Sequence, residues 1–338
     1  MPLISVVIPA HQASRVLPAC LAALAASEMR PDEIVVVDDG PSSDDTAQIA
    51  RARDIRVVAT SRKLGPGGAR SAGVAATRGE IVVFVDADVC VRPNAIGLLV
   101  EALSEHPEVD AVFGSYDASP PGSNFASQYK NLLHHYVHQQ GRENAQTFWA
   151  GLGAVRRNAF EAVGGFDAER YGRPSIEDIE LGDRLRAEGH GVRLVKSAQG
   201  THLKNWTLPG LMKTDVFDRA LPWTELILET GRMPDDLNLG LRHRVGVGAT
   251  GLGVLLLLAA PLRRRFLLPA AASLAVAVAA GGDVLLFLAK ERGALFALRA
   301  VPVHLAYFAG SGFALALGTA RHLARRIQGR AAAPRAKR

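Results

Sequence analysis

The sequence contains only two cysteines, Cys20 and Cys90, and no Cys-x-x-Cys pattern. This scarcity excludes a cysteine-ligated zinc site and a framework of several disulfides. The first residues also lack a basic segment and a long apolar run, so we expect a first β-strand there and no signal peptide. The front part of the chain is therefore expected to lie in the cytoplasm, where free thiols stay reduced.

Acidic residues are nearly absent from the last part of the chain. Residues 244–338 contain 14 Lys or Arg but only two acids, Asp283 and Glu291, which gives a net charge of +12, whereas residues 1–243 carry −6. The acidic front part argues against nucleic-acid binding and suits a protein that holds a divalent cation against a phosphate. The basic, apolar back part suits a membrane with an anionic inner leaflet.

Short β-branched runs alternate with helical patterns along the front part of the chain. This alternation predicts an α/β fold with a largely parallel sheet that is covered by helices on both faces. Ligands of such sheets bind beyond the carboxyl ends of the strands. The predicted strands are 3–8, 34–37, 55–58, 81–85, 109–113 and 192–195, and the predicted helices are 17–26, 44–53, 68–77, 93–105, 123–140 and 178–188.

Three apolar runs follow, at residues 245–262, 266–289 and 300–319. Each is close to the ~20 residues that cross a bilayer as a helix, so residues 244–320 are predicted to form two or three transmembrane spans. Three crossings from a cytoplasmic front domain would leave the basic tail, residues 321–338, outside, which the positive-inside rule disfavours. In the alternative, the first run lies in the membrane interface and the other two form a hairpin. We expect a multi-pass protein of the inner cell membrane.

Two carboxylates, Asp86 and Asp88, follow directly after the apolar strand predicted at 81–85. On an extended chain, residues i and i+2 point the same way, so both side chains are expected to address one site. Such a pair suits a hard cation, Mg²⁺ or Mn²⁺, with phosphate oxygens completing its shell.

Two further acidic pairs stand at element boundaries. Asp38 and Asp39 end the strand predicted at 34–37, where their carboxylates could accept hydrogen bonds from a nucleoside. Glu177 and Asp178 lie at a predicted helix start, where acidic residues also interact well with the helix dipole. A carboxylate at this second position could act as a general base that takes a proton from an attacking hydroxyl.

These segments occur in the order of the motifs of glycosyltransferase family 2, which the sequence resembles over about residues 3–205. The resemblance implies the GT-A fold, with a mixed, mostly parallel sheet, for residues 1–243. It implies a nucleotide-sugar half at about 1–115 and an acceptor half at about 116–243. The motifs are Ser5-Val-Val-Ile-Pro9, Val37-Asp-Asp-Gly40, the loop Gly65–Gly73, Asp86-Ala-Asp88, Gly164-Gly-Phe-Asp167 and Glu177-Asp178.

The resemblance also implies roles for individual residues. Pro9, Asp38, Asp39, Arg70 and Asp86 are expected to bind the nucleotide sugar. Asp88 is expected to bind the metal together with Asp86 and His202. Asp178 is expected to be the catalytic base with Glu177 beside it, and the acceptor-side candidates are Trp149, Gly151 and Trp206.

Two departures from the family pattern matter. Ser71 stands where the family has Asn, and the Gln-x-x-Arg-Trp motif of processive members is absent, which argues against a polymer synthase. The cluster His134, His135 and His138 has no assigned role.

The expected activity is inverting, metal-dependent sugar transfer in cell-envelope glycan or glycolipid synthesis. Its expected partners are a UDP- or GDP-sugar, Mn²⁺ or Mg²⁺, and a lipid-linked or membrane-proximal acceptor. One alternative is a sugar nucleotidyltransferase, although its usual basic glycine-rich loop is replaced here by Pro9-Ala-His-Gln12. The other is an inactive nucleotide-binding scaffold, against which the intact Asp86, Asp88 and Asp178 speak.

Overall fold

The computed structural model describes residues 2–332. The chain divides into two compact units, Met1–Trp206 and Thr207–Arg338. The division lies earlier than the boundary predicted near residue 243, because the helices between 208 and 230 pack against the last helix of the second unit.

The first unit contains one eight-stranded sheet and seven helices within the described residues. The sheet order is β3-β2-β1-β4-β7-β6-β8-β5. The strands are β1 Ile4–Ala10, β2 Glu33–Asp38, β3 Arg56–Ala59, β4 Ile81–Val85, β5 Val89–Val91, β6 Val109–Tyr116, β7 Leu152–Arg156 and β8 Gly191–His202. The helices are α1 Leu17–Ala25, α2 Thr46–Arg51, α3 Gly65–Ala75, α4 Ala95–Glu105, α5 Phe125–Gln140, α6 Arg157–Ala162 and α7 Glu177–Ala187.

The sheet is mixed, which confirms the predicted fold class. Strands β3, β2, β1 and β4 are parallel to one another. Strand β7 pairs antiparallel with both β4 and β6, and β5 pairs antiparallel with β8. Parallel strands that are buried on both faces read as continuous β-branched runs, which is why the sequence located β1, β2 and β4 closely.

Helices cover both faces of this sheet, so it has two hydrophobic cores. Val6 and Ile8 of β1 face the core that contains α1 and α4, and Val7 faces the core that contains α3 and α7. Helix α3 lies close to the sheet because Gly73 leaves room for the Val7 side chain.

Strands β5 and β7 were not predicted, and β8 is much longer than the predicted 192–195. Strand β7 reads Leu-Gly-Ala-Val-Arg, which has little β-propensity of its own. Its two neighbours in the sheet supply the pairing that makes it a strand, a case in which tertiary context overrides local preference.

The second unit is helical throughout its described elements. Helices α8 Leu208–Lys213 and α9 Leu221–Thr230 flank a π-helix, Thr214–Ala220. After a short 3₁₀ turn come α10 Leu241–Ala259, a second 3₁₀ turn, α11 Leu267–Ala280, α12 Gly282–Arg292 and α13 Ala294–Ala332.

Two stretches of this unit are long and apolar enough to cross a membrane, Leu241–Ala259 and Ala294–Gln328. The run predicted at 266–289 is broken at Gly281, where its two helices meet at 59°, so it would make a third span only as a bent one. The basic tail predicted at 321–338 begins inside α13, and residues 333–338 lie outside the described part of the chain. Glycines such as Gly246, beside the Phe308 ring, let these helices approach closely.

Candidate active site

The predicted site residues gather at the carboxyl ends of β1, β2 and β4. In the sheet register, Pro9 lies beside Val37 and Ala10 beside Asp38. The Asp39 backbone N–H continues this pairing by donating to the Ala10 carbonyl oxygen at 2.8 Å. Pro9, Asp38 and Asp39 therefore lie together at one edge of the sheet.

Asp38 and Asp39 are buried, and their carboxylates accept hydrogen bonds from nearby residues of the chain. Asp39 accepts hydrogen bonds from the backbone N–H groups of Leu64, at 2.7 Å, and Gly65, at 2.9 Å. Asp38 accepts one from the Ser42 hydroxyl at 2.5 Å. Both acids were expected to bind the nucleotide, and in the structure they shape the turn after β2 and the start of α3.

Arg70 is buried beneath the site, where it joins two carboxylates. Its guanidinium donates to Asp86 Oδ1 at 2.6 Å and to Glu177 Oε1 at 3.1 Å, and it lies 5.6 Å from the centre of the Phe166 ring. Burial alone would lower the pKa of Arg70, but the charges of Asp86, Glu177 and Asp178 raise it above its ordinary value. Arg70 is therefore a fixed positive charge.

Asp86 and Asp88 have different side-chain partners, and the charge of Asp88 also contributes to raising the pKa of Asp86. The Val89 N–H donates to the Asp86 carbonyl oxygen at 2.9 Å, so residues 86–88 form a turn and the extended-chain alternation does not apply. Asp86 faces Arg70, whereas Asp88 faces His202. Burial raises the pKa of Asp86 above its usual range despite the opposing charge of Arg70.

Asp88 and His202 come together through the pairing of β5 with β8. Val89 lies opposite His202 in this ladder, and His202 Nε2 is 3.3 Å from Asp88 Oδ2. Burial would raise the pKa of Asp88, but the hydrogen bond with His202 and the charges of His202 and Lys204 lower it. Asp88 is thus held as a carboxylate beside an imidazole nitrogen.

These two atoms fit a shared divalent cation. Neighbouring ligands in an octahedral shell with bonds of about 2.1 Å lie about 3 Å apart, close to the observed separation. Within residues 2–332, no group of three or more His, Cys, Asp or Glu side chains is arranged to hold a metal. A cation here would need oxygens from a ligand or water, as Mg²⁺ sites that use substrate phosphates do.

The acidic pair at the start of α7 is divided between two environments. Glu177 is buried, and its carboxylate accepts from Arg70 and from the Ser175 backbone N–H at 3.0 Å. Asp178 is half-buried, and its carboxylate accepts from the backbone N–H groups of Ala150, at 3.1 Å, and Ile179, at 2.9 Å. These backbone donors fix the orientation of the Asp178 carboxylate beside the loop that precedes β7.

A short loop before β7 connects Asp178 with Asp86. Ala150 donates its N–H to Asp178, and the Gly151 carbonyl oxygen accepts from the Asp86 N–H at 3.0 Å. The Trp149 indole covers Gly151 so closely that a Cβ there would clash with it. Trp206, the third acceptor-side candidate, is buried, its backbone N–H donates to the Ser127 hydroxyl at 2.7 Å, and the Lys204 ammonium lies 4.1 Å from its ring centre.

Sequence reasoning missed Tyr116 and Asn131, which hold His202. The Tyr116 ring stacks on the His202 ring with centroids 4.2 Å apart, and Asn131 Oδ1 is 2.6 Å from His202 Nδ1. A signal existed, because Asn131, His134 and His138 share one face of the predicted helix at spacings of three and four.

The histidines of α5 contact strand β6. His135 Nδ1 lies 2.6 Å from the Tyr116 carbonyl oxygen, and His138 Nδ1 lies 3.1 Å from that of Gly114. His134 and His138 also pack beside the Trp149 ring.

Comparison with known proteins identifies relatives of this chain. A family model described as "Glycosyl transferase family 2" matches residues 5–164. N-acetylglucosaminyl-diphospho-decaprenol L-rhamnosyltransferase of Mycobacterium tuberculosis is 31% identical over 221 residues, which cover 54% of this chain and 70% of that protein. Succinoglycan biosynthesis protein ExoO of Rhizobium meliloti is 33% identical over 103 residues, which cover 30% of this chain and 30% of ExoO. The chain thus spans less than a third of ExoO.

Among solved structures, this chain is similar to mannosyltransferase PcManGT from Pyrobaculum calidifontis, determined in complex with GDP-Man and Mn²⁺. The TM-score is 0.60 at 20% sequence identity, over 93% of this chain and 87% of that chain. The likeness supports the GT-A type of fold.

Proposed function

The chain belongs to glycosyltransferase family 2, and from this premise we propose that it moves a sugar from a nucleotide-sugar donor to a hydroxyl of a lipid-linked acceptor. The main support for the proposal is that Asp86, expected to bind the donor, is connected to the acidic pair Glu177 and Asp178, expected to act on the acceptor. Arg70 ties Asp86, at the end of β4, to Glu177, at the start of α7. The loop at residues 149–151 ties the same Asp86 to Asp178.

The donor's nucleotide would lie along the edge formed by Pro9, Asp38 and Asp39. Although the two carboxylates are engaged with the chain around them, they set the shape of this edge and its negative charge. The diphosphate would then lie toward Asp88 and His202, the pair that suits a divalent cation.

Asp88 and His202 would hold Mn²⁺ or Mg²⁺, which when bound offsets the negative charge that the leaving diphosphate develops. A nitrogen ligand favours Mn²⁺, because Mg²⁺ demands oxygen ligands more strictly. Arg70 adds a fixed positive charge beneath Asp86 and keeps that carboxylate oriented.

Asp178 would act as the general base. Backbone donors from Ala150 and Ile179 fix its half-buried carboxylate beside residues 149–151, where it would meet the proton of an acceptor hydroxyl. As that proton moves to Asp178, the hydroxyl oxygen attacks the anomeric carbon and the bond to the diphosphate breaks. A single displacement inverts the anomeric centre, and general base catalysis of this kind contributes about 10²–10⁴ in rate.

A lipid-linked acceptor is supported by two observations. The name of the mycobacterial relative specifies a diphospho-decaprenol acceptor, and the second unit of this chain has apolar helices long enough to cross a membrane. Anchoring the site at the surface where the acceptor lies raises its effective concentration. We place the protein in the inner cell membrane with its catalytic unit in the cytoplasm, where it would build a cell-envelope glycan or glycolipid.

The test is release of nucleoside diphosphate by the purified full chain. UDP-, GDP- and dTDP-sugars are each incubated with Mn²⁺ and a bacterial membrane lipid extract, and the lipid product is analysed by mass spectrometry. We expect one donor to give nucleoside diphosphate together with a lipid one sugar heavier. Pyrophosphate exchange with a sugar phosphate would support a nucleotidyltransferase. Binding of nucleotide with no turnover on any donor would support the scaffold alternative.

A further inference from the structure

We propose that Asn131 is a positioning residue that fixes the His202 ring with Nε2 directed at the cation position beside Asp88. This inference rests on the proposed function, because it assigns a cation to the Asp88–His202 pair. It concerns a residue of α5 that contacts neither the donor edge nor the base.

The orientation of the Asn131 amide is determined by its surroundings. Asn131 is buried, with 2% of its surface exposed, and its Nδ2 donates to the Ser127 carbonyl oxygen at 3.0 Å. A carbonyl oxygen can only accept, so the amide nitrogen must face Ser127 and Oδ1 must face His202. In this orientation the amide nitrogen donates to Ser127 and the amide oxygen accepts from His202, so both ends of the amide are hydrogen-bonded.

This amide in turn determines which imidazole nitrogen carries a proton. Oδ1 lies 2.6 Å from His202 Nδ1, and an amide oxygen can only accept. Nδ1 therefore carries a proton, and Nε2 is the ring nitrogen that remains to be offered to a cation. A bond from one ring nitrogen to an oxygen is the usual way in which proteins prepare the other nitrogen as a metal ligand.

His202 Nε2 faces a carboxylate oxygen, Asp88 Oδ2, across 3.3 Å. Two electron-rich atoms at this distance repel each other unless a proton or a cation lies near both. The ring cannot turn away, because Tyr116 stacks on it with an angle of only 7° between the planes. The hydrogen bond, the stack and the β5–β8 pairing together hold Nε2 where a cation that binds with the donor would take the place of a proton between the two atoms.

Three side chains of similar shape at position 131 separate this role from simple packing. Asn131→Leu removes the acceptor, whereas Asn131→Asp keeps an oxygen toward Nδ1. The matched control is Gln139→Leu, because Gln139 also joins α5 to β8, through a bond to the Lys196 carbonyl oxygen at 3.0 Å. Mn²⁺ affinity of the full chain in detergent is measured by electron paramagnetic resonance, with the nucleoside diphosphate that binds.

We expect Asn131→Leu to weaken Mn²⁺ binding about 10- to 100-fold, the usual effect of losing such a partner of a metal ligand. Asn131→Asp and Gln139→Leu should remain within a few-fold of wild type. Equal losses in all three variants would indicate packing and overturn the inference. Unchanged Mn²⁺ binding in Asn131→Leu would overturn the role of Asn131 but leave the cation site intact. Absence of Mn²⁺ binding in the wild type would refute the cation site of the proposed function as well.

A second readout needs no metal. Long-range ¹H–¹⁵N correlation spectra of the full chain labelled at histidine distinguish a protonated Nδ1 from a protonated Nε2, and His202→Gln identifies the His202 signals. We expect wild type and Asn131→Asp to have the proton on Nδ1, and Asn131→Leu to shift toward Nε2. A ring that carries its only proton on Nε2 in metal-free wild type would contradict the inference.

Discussion

Arg70 and Glu177 are 107 positions apart in the chain, yet their side chains form a buried ion pair at 3.1 Å. The same guanidinium also bonds Asp86, so the Arg70 side chain connects α3 with α7 and with the end of β4. Removing one partner of a buried pair leaves the others uncompensated, which commonly costs about 3–5 kcal/mol.

Arg70→Met should therefore lower the thermal unfolding midpoint strongly, and Arg70→Lys should lower it less, because an ammonium keeps the charge but cannot fork between two carboxylates. The control is Arg193→Met, since Arg193 pairs with Glu143 near the surface, where ion pairs contribute about 0–1 kcal/mol. Differential scanning fluorimetry of the full chain in detergent measures both. Equal small shifts would mean that the buried network does not stabilise the fold.

Glu177 and Asp178 are neighbours in sequence, but their side chains lie in different environments. We therefore expect substitution of Asp178 to affect turnover and substitution of Glu177 to affect stability. Asp178→Asn should reduce transfer by about 10²–10⁴-fold with donor affinity and stability unchanged, because a half-buried proton acceptor is lost. Glu177→Gln should lower stability more than turnover, because it halves the charge that compensates Arg70. Donor titration, turnover and unfolding midpoints are compared for both variants. A collapse of donor affinity in Asp178→Asn would reassign that residue to the nucleotide site.

The sequence predicts the positions of the acidic residues in the site better than it predicts their partners. The positions of β1, β2 and β4, and with them the acids at their ends, follow from buried apolar runs that any sheet of this type requires. The partners of those acids do not follow from such runs. His202 was expected beside Asp88 only from the family resemblance. The bonds of Arg70 to Asp86 and Glu177 were not expected, because distant strands and helices bring these residues together. The extended-chain argument for Asp86 and Asp88 does not apply for a local reason, a turn that begins at Asp86 itself.

Asp88→Asn should abolish most of the metal-dependent activity, by at least about 100-fold, while the fold persists. An amide at this position removes the negative ligand that sits beside His202. Asp110→Asn is the control, because Asp110 is a partly exposed carboxylate that also contacts a histidine, His190, at 2.8 Å. Turnover is measured across a range of Mn²⁺ concentrations. Near-normal turnover with unchanged Mn²⁺ dependence would remove Asp88 from the cation site.

Gly151→Ala should impair sugar transfer by displacing the Trp149 ring. The new methyl group clashes with the indole, so the loop that links Asp86 with Asp178 must shift. The control is Gly97→Ala in α4, where only the Met29 Cβ lies near, at 3.7 Å, and where alanine should stabilise the helix by about 0.4–1 kcal/mol. The double variant Gly151→Ala, Trp149→Ala relieves the clash. Turnover and the unfolding midpoint should fall in Gly151→Ala, and adding Gly151→Ala should lower the midpoint less in the Trp149→Ala background than in the wild type.

The boundary between the two units leads to a prediction about truncated chains. A chain that ends at Trp206 keeps all eight strands, whereas one that ends at Gly240 also keeps helices α8 and α9. In the full chain, Val216 and Leu221 are buried in a cluster with Ala314 of α13. Glu225 pairs with Arg321 and Arg325 of the same helix. Without α13, both the apolar surface and the acidic group lose their partners.

We therefore expect the chain that ends at Trp206 to be soluble without detergent and to bind nucleoside diphosphate with Mn²⁺, while the chain that ends at Gly240 aggregates or needs detergent. The full chain should stay in the membrane pellet after carbonate extraction, because helices with about 20 apolar residues do not leave lipid in aqueous base. Size-exclusion chromatography and nucleotide binding compare the two truncated chains. Should the shorter chain fail to fold while the longer one is soluble, helices 208–230 would belong to the catalytic unit. Should high salt release the full chain from membranes, its attachment would be electrostatic, through the basic residues near its end, and the apolar helices would have to pack within the protein.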